Sequence, residues 1–513
     1  MAWFWTILIS LIIILLWSLH FKLLPKMKQH KKNPPSPKAL PLLGHLHLLG
    51  PKPHQDIHRL AQKHGPIMLL RFGLRPTFVV SSPSYAELAL KTHGHVFVNK
   101  ATQQGFYYIS YGQRDIAFGP YGPYWRSMRK LVTVNLVNAS KIVQFRAMRR
   151  AELWNMVGSI RWAGLKLEPV DLSAMVSGLI GDMTCLMVFG RKYDDGDLDE
   201  KLGFKGLKRE ALRLMAVPNF GDFFPFLRKL DLQGLDRRMK ELVKTFDGFL
   251  ERIIDEHREV NSSSEHCSDE GEENYKERSG DFVDTMMGIL ESGEAGFEFN
   301  RRHVKAVLLN MLFGATDSSS SAIESALSEL IKHPYFMTKL QNELQQVVGM
   351  DKRVEEPHLN ELPYLDSVVK ETFRLHPPSP LLIHESVENC TLDGYYVAKG
   401  SRLIINTKSI GRDPSTWEEA EVFNPERFVG RNVDVWGQDF ELLPFGSGRR
   451  GCPAMQLGLT VVKLVVAQLV HCFDWELPDG LLPSDLDMEE HFGLVVSRER
   501  HLKAIPKYRL LID

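Results

Sequence analysis

The sequence is poor in cysteine, and its few cysteines form no recognisable pattern. Five are scattered over 513 residues, and no two of them are separated by only two residues. This spacing argues against a disulfide framework and against a zinc site, because both need cysteines in spaced groups. A reducing compartment therefore fits best, and any special role falls on a single cysteine.

The chain also lacks net charge and internal repeats. Lys+Arg and Asp+Glu each number 63, so no global field would attract nucleic acid or an acidic partner. With 44% hydrophobic and 25% charged residues, the composition is that of an ordinary globular protein. Length alone predicts about three domains.

The N-terminal segment departs from this composition because it lacks charged residues. Residues 2–19 are mostly apolar and just long enough to span a bilayer core of about 30 Å. Lys22, Lys26 and Lys28 follow, which places the rest of the chain in the cytosol by the positive-inside rule. A cleaved signal peptide is the alternative, but no basic segment precedes the run and no small-residue cleavage site follows it. We predict a membrane anchor at residues 1–21, a basic, proline-rich linker at 22–44 and a globular body at 45–513.

Most of the remaining chain is predicted to be helical, with a small β portion. Ile67–Phe72 and residues 77–81 are predicted as a hairpin joined by residues 73–76. Residues 303–331 are predicted as one helix of about 43 Å, ended by Pro334. The stretch 261–280 is polar and rich in serine and glutamate, and is predicted as a mobile surface loop.

A glycine-rich loop that leads into a cysteine carries the clearest chemical signal. It reads Pro444-Phe-Gly-Ser-Gly-Arg-Arg-Gly-Cys452-Pro, and an apolar helical pattern follows over 457–470. Glycines let a backbone approach a flat cofactor, and a cysteine at a helix N-terminus is expected to have a lowered pKa. Arg450 could pair with an anionic group. A reactive thiol and a plain structural turn are alternatives that these residues alone leave open.

This loop resembles the haem-binding signature of the cytochrome P450 family, in which the cysteine ligates the haem iron. The matching residues are Phe445, Gly448, Arg450 and Cys452, and Ala454 stands where the family has glycine. The resemblance covers essentially the whole chain and is closest to the plant A-type enzymes of specialised metabolism. It implies a mainly α fold with minor β, one large haem-thiolate domain at 45–513 after an N-terminal transmembrane helix, and haem b as cofactor.

Two further motifs resemble structural and cofactor-contact segments of the family. By spacing alone, Glu371 and Arg374 share a helix face and would form an ordinary surface ion pair. In the family this pair joins the arginine of a Pro-Glu-Arg-Phe segment, here Arg427, in a network that braces the haem-side core. Trp125-x-x-x-Arg129 resembles the family's helix whose residues contact the haem propionates.

A third motif lies in the predicted long helix. Gly314-Ala-Thr-Asp317-Ser318 resembles the family's oxygen-activation motif, whose acid and hydroxyl relay protons to dioxygen. Ala315 replaces the second glycine and Ser318 the usual threonine. Serine keeps the hydroxyl but lacks the methyl group that fixes χ1, so proton delivery should survive while its coupling is weakened. A polar kink in a buried helix is the alternative interpretation.

Apolar segments placed by analogy with the family predict a hydrophobic substrate pocket. Asn310 belongs to one such segment of the long helix. The segment before His384 is one residue shorter than in related plant sequences, and His384 is still expected to reach a propionate. Taken singly, each pocket residue is better explained as ordinary core than as a substrate contact. The predicted pocket residues are Phe106, Tyr107, Phe313, Leu382, Phe492 and Leu494.

The resemblance implies a haem-thiolate monooxygenase of the endoplasmic reticulum membrane, single-pass with a cytosolic catalytic domain. It would hydroxylate a small hydrophobic plant metabolite with O2 and with electrons from NADPH, passed through NADPH–cytochrome P450 reductase. A terpenoid is the favoured substrate class, and a phenylpropanoid or aromatic hydroxylase is the alternative. A haem-thiolate isomerase or dehydratase that uses no O2, and a non-catalytic haem protein, are disfavoured because Asp317 and Ser318 are retained.

Overall fold

The structure, a computed structural model, describes residues 32–101, 103–193, 203–265 and 280–512. The anchor predicted at residues 1–21 lies outside the described residues, as does most of the polar stretch that follows residue 265. Helices dominate the described part of the chain, and short strands form small sheets at its edges.

The helices are numbered here in chain order, and a π-helical turn (Leu88–Thr92) directly follows the second of them. They are α1 (Pro53–His64), α2 (Pro83–Glu87), α3 (Gln104–Ile109), α4 (Pro123–Asn135), α5 (Ala139–Gln144), α6 (Arg146–Leu165), α7 (Leu172–Phe189), α8 (Gly203–Ala216), α9 (Phe220–Phe223), α10 (Leu235–Glu265), α11 (Phe282–Ser292), α12 (Arg301–Lys332), α13 (Pro334–Val348), α14 (Pro363–Leu375), α15 (Thr407–Ile410) and α16 (Met455–Cys472).

The strands form a four-stranded sheet of order β1-β2-β7-β4, a three-stranded sheet of order β3-β11-β8, and the pairs β5-β6 and β9-β10. Among the described strands, β2 and β7 pair in parallel and the other pairs are antiparallel. The strands are β1 (Ile67–Phe72), β2 (Arg75–Val80), β3 (Val170–Asp171), β4 (Leu381–Glu385), β5 (Cys390–Leu392), β6 (Tyr395–Val397), β7 (Arg402–Asn406), β8 (Phe473–Glu476), β9 (Glu490–His491), β10 (Ser497–Arg498) and β11 (Lys503–Tyr508).

Helix α12 forms the axis of the main hydrophobic core. The Asn300 side chain accepts a hydrogen bond from the Arg302 N–H, and His303 bonds back to the Asn300 N–H, which fixes the helix start. Helices α7 and α16 pack against α12, and both are long and apolar enough to cross a membrane by length and composition. Most of each is buried inside the protein, so we assign them to the core.

The predicted long helix and hairpin are both present, with small differences at their ends. Helix α12 begins at Arg301 because Asn300 caps it, and the chain turns at His333 before Pro334. Strand β2 begins at Arg75, not at residue 77, so Pro76 lies within it. Proline is tolerated there because β2 pairs with β7 only from Thr77 onward.

The polar stretch predicted as a loop from residue 261 is helical at its beginning. Helix α10 continues to Glu265, so the backbone of residues 261–265 extends the helix. Adding a residue to an existing helix gains a backbone hydrogen bond without the cost of nucleation, and serine and asparagine are only moderately poor helix formers. The loop prediction was therefore wrong for these residues.

Part of the proline-rich segment lies along the edge of β1. The Leu69 N–H donates to the Pro35 carbonyl at 2.9 Å, and Gly44 bridges to Phe72. Gly44 has a φ of 63°, and a Cβ there would lie 2.1 Å from the Arg71 carbonyl oxygen. Only glycine therefore allows this close approach between the segment and the sheet.

Candidate functional site

Cys452 lies in a tight loop between a 3₁₀ turn (Gly448–Arg450) and helix α16. Its N–H donates to the Phe445 carbonyl at 2.8 Å, which closes the loop upon itself. Gly446 and Gly448 have φ values of 70° and 66°, in the left-handed region that favours glycine. Gly446 and Gly448 are therefore required by the backbone of this loop.

The thiol of Cys452 does not have the lowered pKa that the sequence predicted. Burial raises its pKa, and this outweighs the lowering effects of the Ala454 N–H and of Arg129. Helix α16 begins only at Met455, and Ala454 is its N-cap. Cys452 and Pro453 therefore precede the helix, and the dipole acts on the thiol more weakly than it would at the first helical position.

Arg450 binds carbonyl groups, whereas the sequence suggested an anionic partner. Its Nε donates to the Val98 carbonyl at 2.7 Å and its Nη2 to the Gly119 carbonyl at 2.5 Å. The guanidinium lies 4.1 Å from the centre of the Trp125 ring. Burial lowers the pKa of Arg450 to about 10, and the nearby Arg129 contributes to this lowering.

Helix α4 holds the Trp125 and Arg129 side chains against this loop. The buried Trp125 donates from Nε1 to the Ile116 carbonyl at 3.0 Å. Arg129 donates from Nη2 to the Gly451 carbonyl at 2.6 Å, one residue before the cysteine. The structure thus brings both predicted residues next to Arg450 and Cys452.

His384 lies in strand β4 and is almost completely buried. Its Nδ1 is 2.9 Å from the Phe97 carbonyl. Strand β4 pairs with β7 in unbroken register from Leu381 to Glu385, so the shorter segment is accommodated without a bulge. Burial, Lys100 and Arg450 all lower the pKa of His384.

Lys100 is a basic residue of this site that sequence reasoning missed. Burial lowers the pKa of its ammonium group to about 8, and Arg450 contributes to this lowering. The described residues offer its Nζ no hydrogen-bond acceptor. Lys100 belongs to none of the motifs, and its only signal is its position two residues after the buried apolar run at residues 96–98.

Together, Lys100, Arg129 and Arg450, with the neutral imidazole of His384 beside them, form what we call the cationic cluster. Within the described ranges, the one carboxylate that opposes this charge is the fully buried Asp115, which acts on Arg450. Buried positive charge is costly unless an anion pairs with it. A cysteine thiol beside such a cluster fits a group that carries both a thiophilic metal and carboxylates.

Glu371, Arg374 and Arg427 form a second charged group, here called the ionic brace. Arg374 donates to the two Glu371 carboxylate oxygens at 2.6 and 2.7 Å, and Arg427 Nε donates to Oε1 at 3.0 Å. The remaining N–H groups of Arg374 bind the carbonyls of Gly411, Ala420 and Val422. The Glu371 and Arg374 side chains are 0% exposed and that of Arg427 is 9% exposed, so this network is almost completely internal.

The acid and the hydroxyl of the oxygen motif lie on adjacent positions of α12. The Ser318 hydroxyl donates to the Gly314 carbonyl at 2.8 Å. Asp317 lies 3.4 Å from the Nζ of Lys208, a residue of α8 that the sequence did not single out. Gly314 is exposed within an otherwise buried stretch, and a Cβ built there meets no atom within 4 Å. The helix therefore borders open space beside Ser318.

The predicted pocket residues lie in several different packing environments. Phe106 stacks on Phe118 with ring centres 4.0 Å apart, and Phe313 packs edge-on against Phe246 at 5.7 Å. Tyr107 is 40% exposed. The aromatic side chains thus contribute to the core as well as to any pocket surface.

Of the remaining pocket predictions, Leu382 lies against the cysteine loop. Its Cδ1 is 3.7 Å from the Cβ position of Gly446. Phe492 stacks on His54 at 5.3 Å, and Leu494 packs against the main core. A cleft of about 580 Å³ lies elsewhere, at the start of α12, and its lining is mainly charged.

Comparison with known proteins agrees with this geometry. A family model described as Cytochrome P450 matches residues 34–503. Cytochrome P450 CYP736A12 of Panax ginseng is 48% identical over 510 residues, which cover 98% of this chain and 99% of that protein. A flavonoid 3'-monooxygenase of Arabidopsis thaliana is 38% identical over 504 residues, 95% of each chain.

A solved structure of a zebra fish cytochrome P450 with Abiraterone has the same fold. The TM-score is 0.71 at 22% identity, and the match covers 89% of this chain and 100% of that chain. The predicted mainly α fold with minor β is therefore confirmed. With a family model that spans most of the sequence, the chain belongs to the cytochrome P450 family, whose members are haem-dependent monooxygenases.

Proposed function

We propose that this protein is a haem-thiolate monooxygenase that hydroxylates a small hydrophobic plant metabolite. Dioxygen is the oxidant, and NADPH supplies electrons through NADPH–cytochrome P450 reductase. The observation that carries the proposal is the closed loop of Cys452 joined to the cationic cluster by the Arg129 hydrogen bond to Gly451. Neither feature serves an evident purpose in the protein alone.

Haem b fits this pair of features. Cys452 would ligate the iron, and Arg129, His384 and Arg450, together with Lys100, would pair with the two propionates. When bound, haem supplies the activation of dioxygen and the oxidation of a C–H bond. Phe445 packs edge-on against Phe373 of α14 at 5.4 Å, and so ties the cysteine loop to the helix that carries the ionic brace. Glu371, Arg374 and Arg427 then hold this side of the core and take no part in the chemistry.

Asp317 and Ser318 are proposed to deliver protons. The Ser318 hydroxyl borders the open space beside Gly314, and rotation about χ1 would turn its O–H from the Gly314 carbonyl toward that space. Asp317 would replace the proton that Ser318 gives up. Lys208 holds the Asp317 carboxylate from helix α8, which keeps this acid in one position.

The substrate class is proposed from the pocket segments and the relatives. Phe106, Phe313, Leu382 and Leu494 are apolar, which suits a terpenoid. The flavonoid 3'-monooxygenase among the relatives favours the second candidate, an aromatic or phenylpropanoid substrate. We also propose that residues 1–21 anchor the chain in the endoplasmic reticulum membrane with the catalytic domain in the cytosol; their deletion should release the protein to the soluble fraction with its haem retained.

Microsomes that contain the protein test the proposal directly. Terpenoids and phenylpropanoids are incubated with and without NADPH, reductase and O2, and products are identified by mass. A product that gains one oxygen atom, and that needs all three components, is the expected result. Turnover without O2 would instead establish an isomerase or dehydratase, and haem binding without any product would favour a storage or sensing protein.

The ligand assignment has its own test. Cys452→Ala should abolish the red-shifted absorption band of the reduced carbon monoxide complex. Cys390→Ser, at a half-buried cysteine in β5, is the matched control and should keep the band. A band retained by the Cys452 variant would refute the assignment.

A further inference from the structure

Residues 115–119 form a turn whose N–H groups, from residue 116 onward, all bind one pair of side chains. Asp115 Oδ1 accepts from the backbone of residues 118 and 119, at 2.9 Å each. Asn310 Oδ1, from helix α12, accepts from the backbone of residues 116 and 117 at 3.2 and 3.3 Å. Asn310 Nδ2 then donates to Asp115 Oδ2 at 2.8 Å. The amide of Asn310 is thus engaged by this turn, and its assignment to the substrate pocket stays a prediction.

The carbonyls of the same turn bind the cationic cluster. The Gly119 carbonyl accepts from Arg450 Nη2 at 2.5 Å, and the Ile116 carbonyl accepts from Arg450 Nη1 at 3.4 Å and from Trp125 Nε1 at 3.0 Å. The turn therefore has two polar faces. One is held by helix α12, and the other holds the guanidinium that neighbours the cysteine loop.

We propose that Asp115 is a positioning residue which, through Asn310 and the 115–119 turn, fixes Arg450 for its contact with the carboxylates of the cofactor. This inference rests on the proposed function, because it requires that Arg450 meets a haem propionate. It also links the helix of the oxygen motif to the cofactor edge through one continuous hydrogen-bond chain.

The surroundings of Asp115 select a carboxylate at this position. Its two oxygens accept three N–H groups, and no acceptor is left for a proton on the acid. Asp115 is 0% exposed, so an unmatched donor there could not be satisfied by solvent. Burial raises its pKa to about 6, whereas the three hydrogen bonds and Arg450 act in the opposite direction and favour the ionised form.

The geometry also predicts which substitutions the pair tolerates. In Asp115→Asn, the new amide group would face the amide group of Asn310, donor against donor. In Asn310→Asp, two carboxylates would face each other across a 2.8 Å contact. In the double swap, the carboxylate placed at position 310 would accept from the backbone of residues 116–117 and from the amide placed at position 115. The oxygen of that amide would accept from the backbone of residues 118–119. The double variant thus restores every hydrogen bond and keeps one negative charge.

The test measures the rate of haem transfer from each holoprotein to apomyoglobin. Asp115→Asn and Asn310→Asp should each lose haem about tenfold faster than the wild type. The double swap should come within about threefold of the wild type. Asp222→Asn, at another acid whose pKa burial raises to about 6, is the matched control and should leave the rate unchanged.

Action through Arg450 is tested in an Arg450→Lys background, which keeps the charge but loses the carbonyl contacts. There Asp115→Asn should change the rate by less than about twofold, because the group it positions is gone. The inference would be overturned if Asp115→Asn accelerated haem transfer by the same factor in both backgrounds. It would also be overturned if the double swap lost haem as fast as the faster of the two single variants. A wild-type protein that binds no haem would instead refute the proposed function.

Discussion

The ionic brace and the cationic cluster are two charged groups built in opposite ways. In the brace, the Glu371 carboxylate accepts hydrogen bonds from two guanidinium groups and from the Asn424 N–H. The other guanidinium nitrogens of the brace donate to backbone carbonyls. In the cluster, three cationic side chains lie near one another beside the His384 imidazole. The one acid of the described residues that faces them, Asp115, is already held by three N–H groups.

This difference indicates that the ionic brace stabilises the fold and that the cationic cluster binds a ligand. A charged network satisfied by its own chain needs nothing else, and its removal affects folding. A cluster of one sign stores unfavourable electrostatic energy that a bound anion can relieve, so its removal should affect ligand retention and can even stabilise the empty protein.

Removing the carboxylate of the brace should have the largest effect. Glu371→Ala leaves Arg374 and Arg427 as uncompensated charges, Arg374 fully buried and Arg427 nearly so, and should cost about 3–5 kcal/mol of the free energy of unfolding. We expect little folded protein, measured by urea denaturation and by recovered soluble yield. The control is Glu441→Ala, which breaks the half-exposed Arg431–Glu441 pair at 2.5 Å and should cost at most about 0.5 kcal/mol. Equal losses in both variants would contradict the distinction.

Removing a charge from the cationic cluster should stabilise the haem-free protein, whereas removing the carboxylate of the brace destabilises the fold. Burial lowers the pKa of Lys100 to about 8 from 10.5, so at pH 7 the unfolded chain holds this proton more tightly than the folded chain. Lys100→Met should therefore raise the Tm of the haem-free protein at pH 7. Between pH 8 and 10.5 the wild type should regain stability relative to the variant, as folded Lys100 becomes neutral.

In the haem-bound forms, the wild type should be more stable than the Lys100→Met variant. In the proposed site, the Lys100→Met variant lacks one propionate partner, and haem should transfer to apomyoglobin about tenfold faster than from the wild type. Calorimetry on the two forms and the transfer rate together check this prediction. A variant that is less stable in both forms would place Lys100 with the brace as an ordinary structural residue.

These two groups also show what the sequence could and could not predict. Strands β1 and β2 and the end of α12 before Pro334 follow from local signals, and the motif residues follow from the family resemblance. Lys100, Asp115 and Lys208 lie in no motif, and their importance arises from tertiary contacts between distant segments. The pKa of Cys452 was predicted wrongly because burial, which depends on the whole fold, outweighs the local effect of the helix.

The Lys208–Asp317 pair is intermediate between the ionic brace and the cationic cluster, because it is paired but partly exposed. It tests whether the positioning of Asp317 affects the yield of product. Its side chains are 14% and 34% exposed, so it should contribute little to stability. Lys208→Met should leave the Tm within about 1 °C but lower the product formed per NADPH a few-fold, because Asp317 is no longer held. Lys205→Met, at an exposed lysine of the same helix, should change neither quantity. An unchanged product yield for the Lys208 variant would remove this pair from the proton path.

The Ser318 hydroxyl is hydrogen-bonded within the chain, like the brace, and is also proposed to act on a ligand, like the cluster. Its substitution should give the smallest change in product formed per NADPH. At rest its hydroxyl is satisfied within the chain by the Gly314 carbonyl, as the brace is, yet proton delivery requires that this bond be given up. A threonine at this position would restrict χ1 and favour fewer hydroxyl orientations. Ser318→Thr should therefore raise the product formed per NADPH by about twofold, whereas Ser318→Ala should lower it with a matching rise in hydrogen peroxide. Equal yields from the threonine and alanine variants would mean that the hydroxyl, like the brace, serves the helix alone.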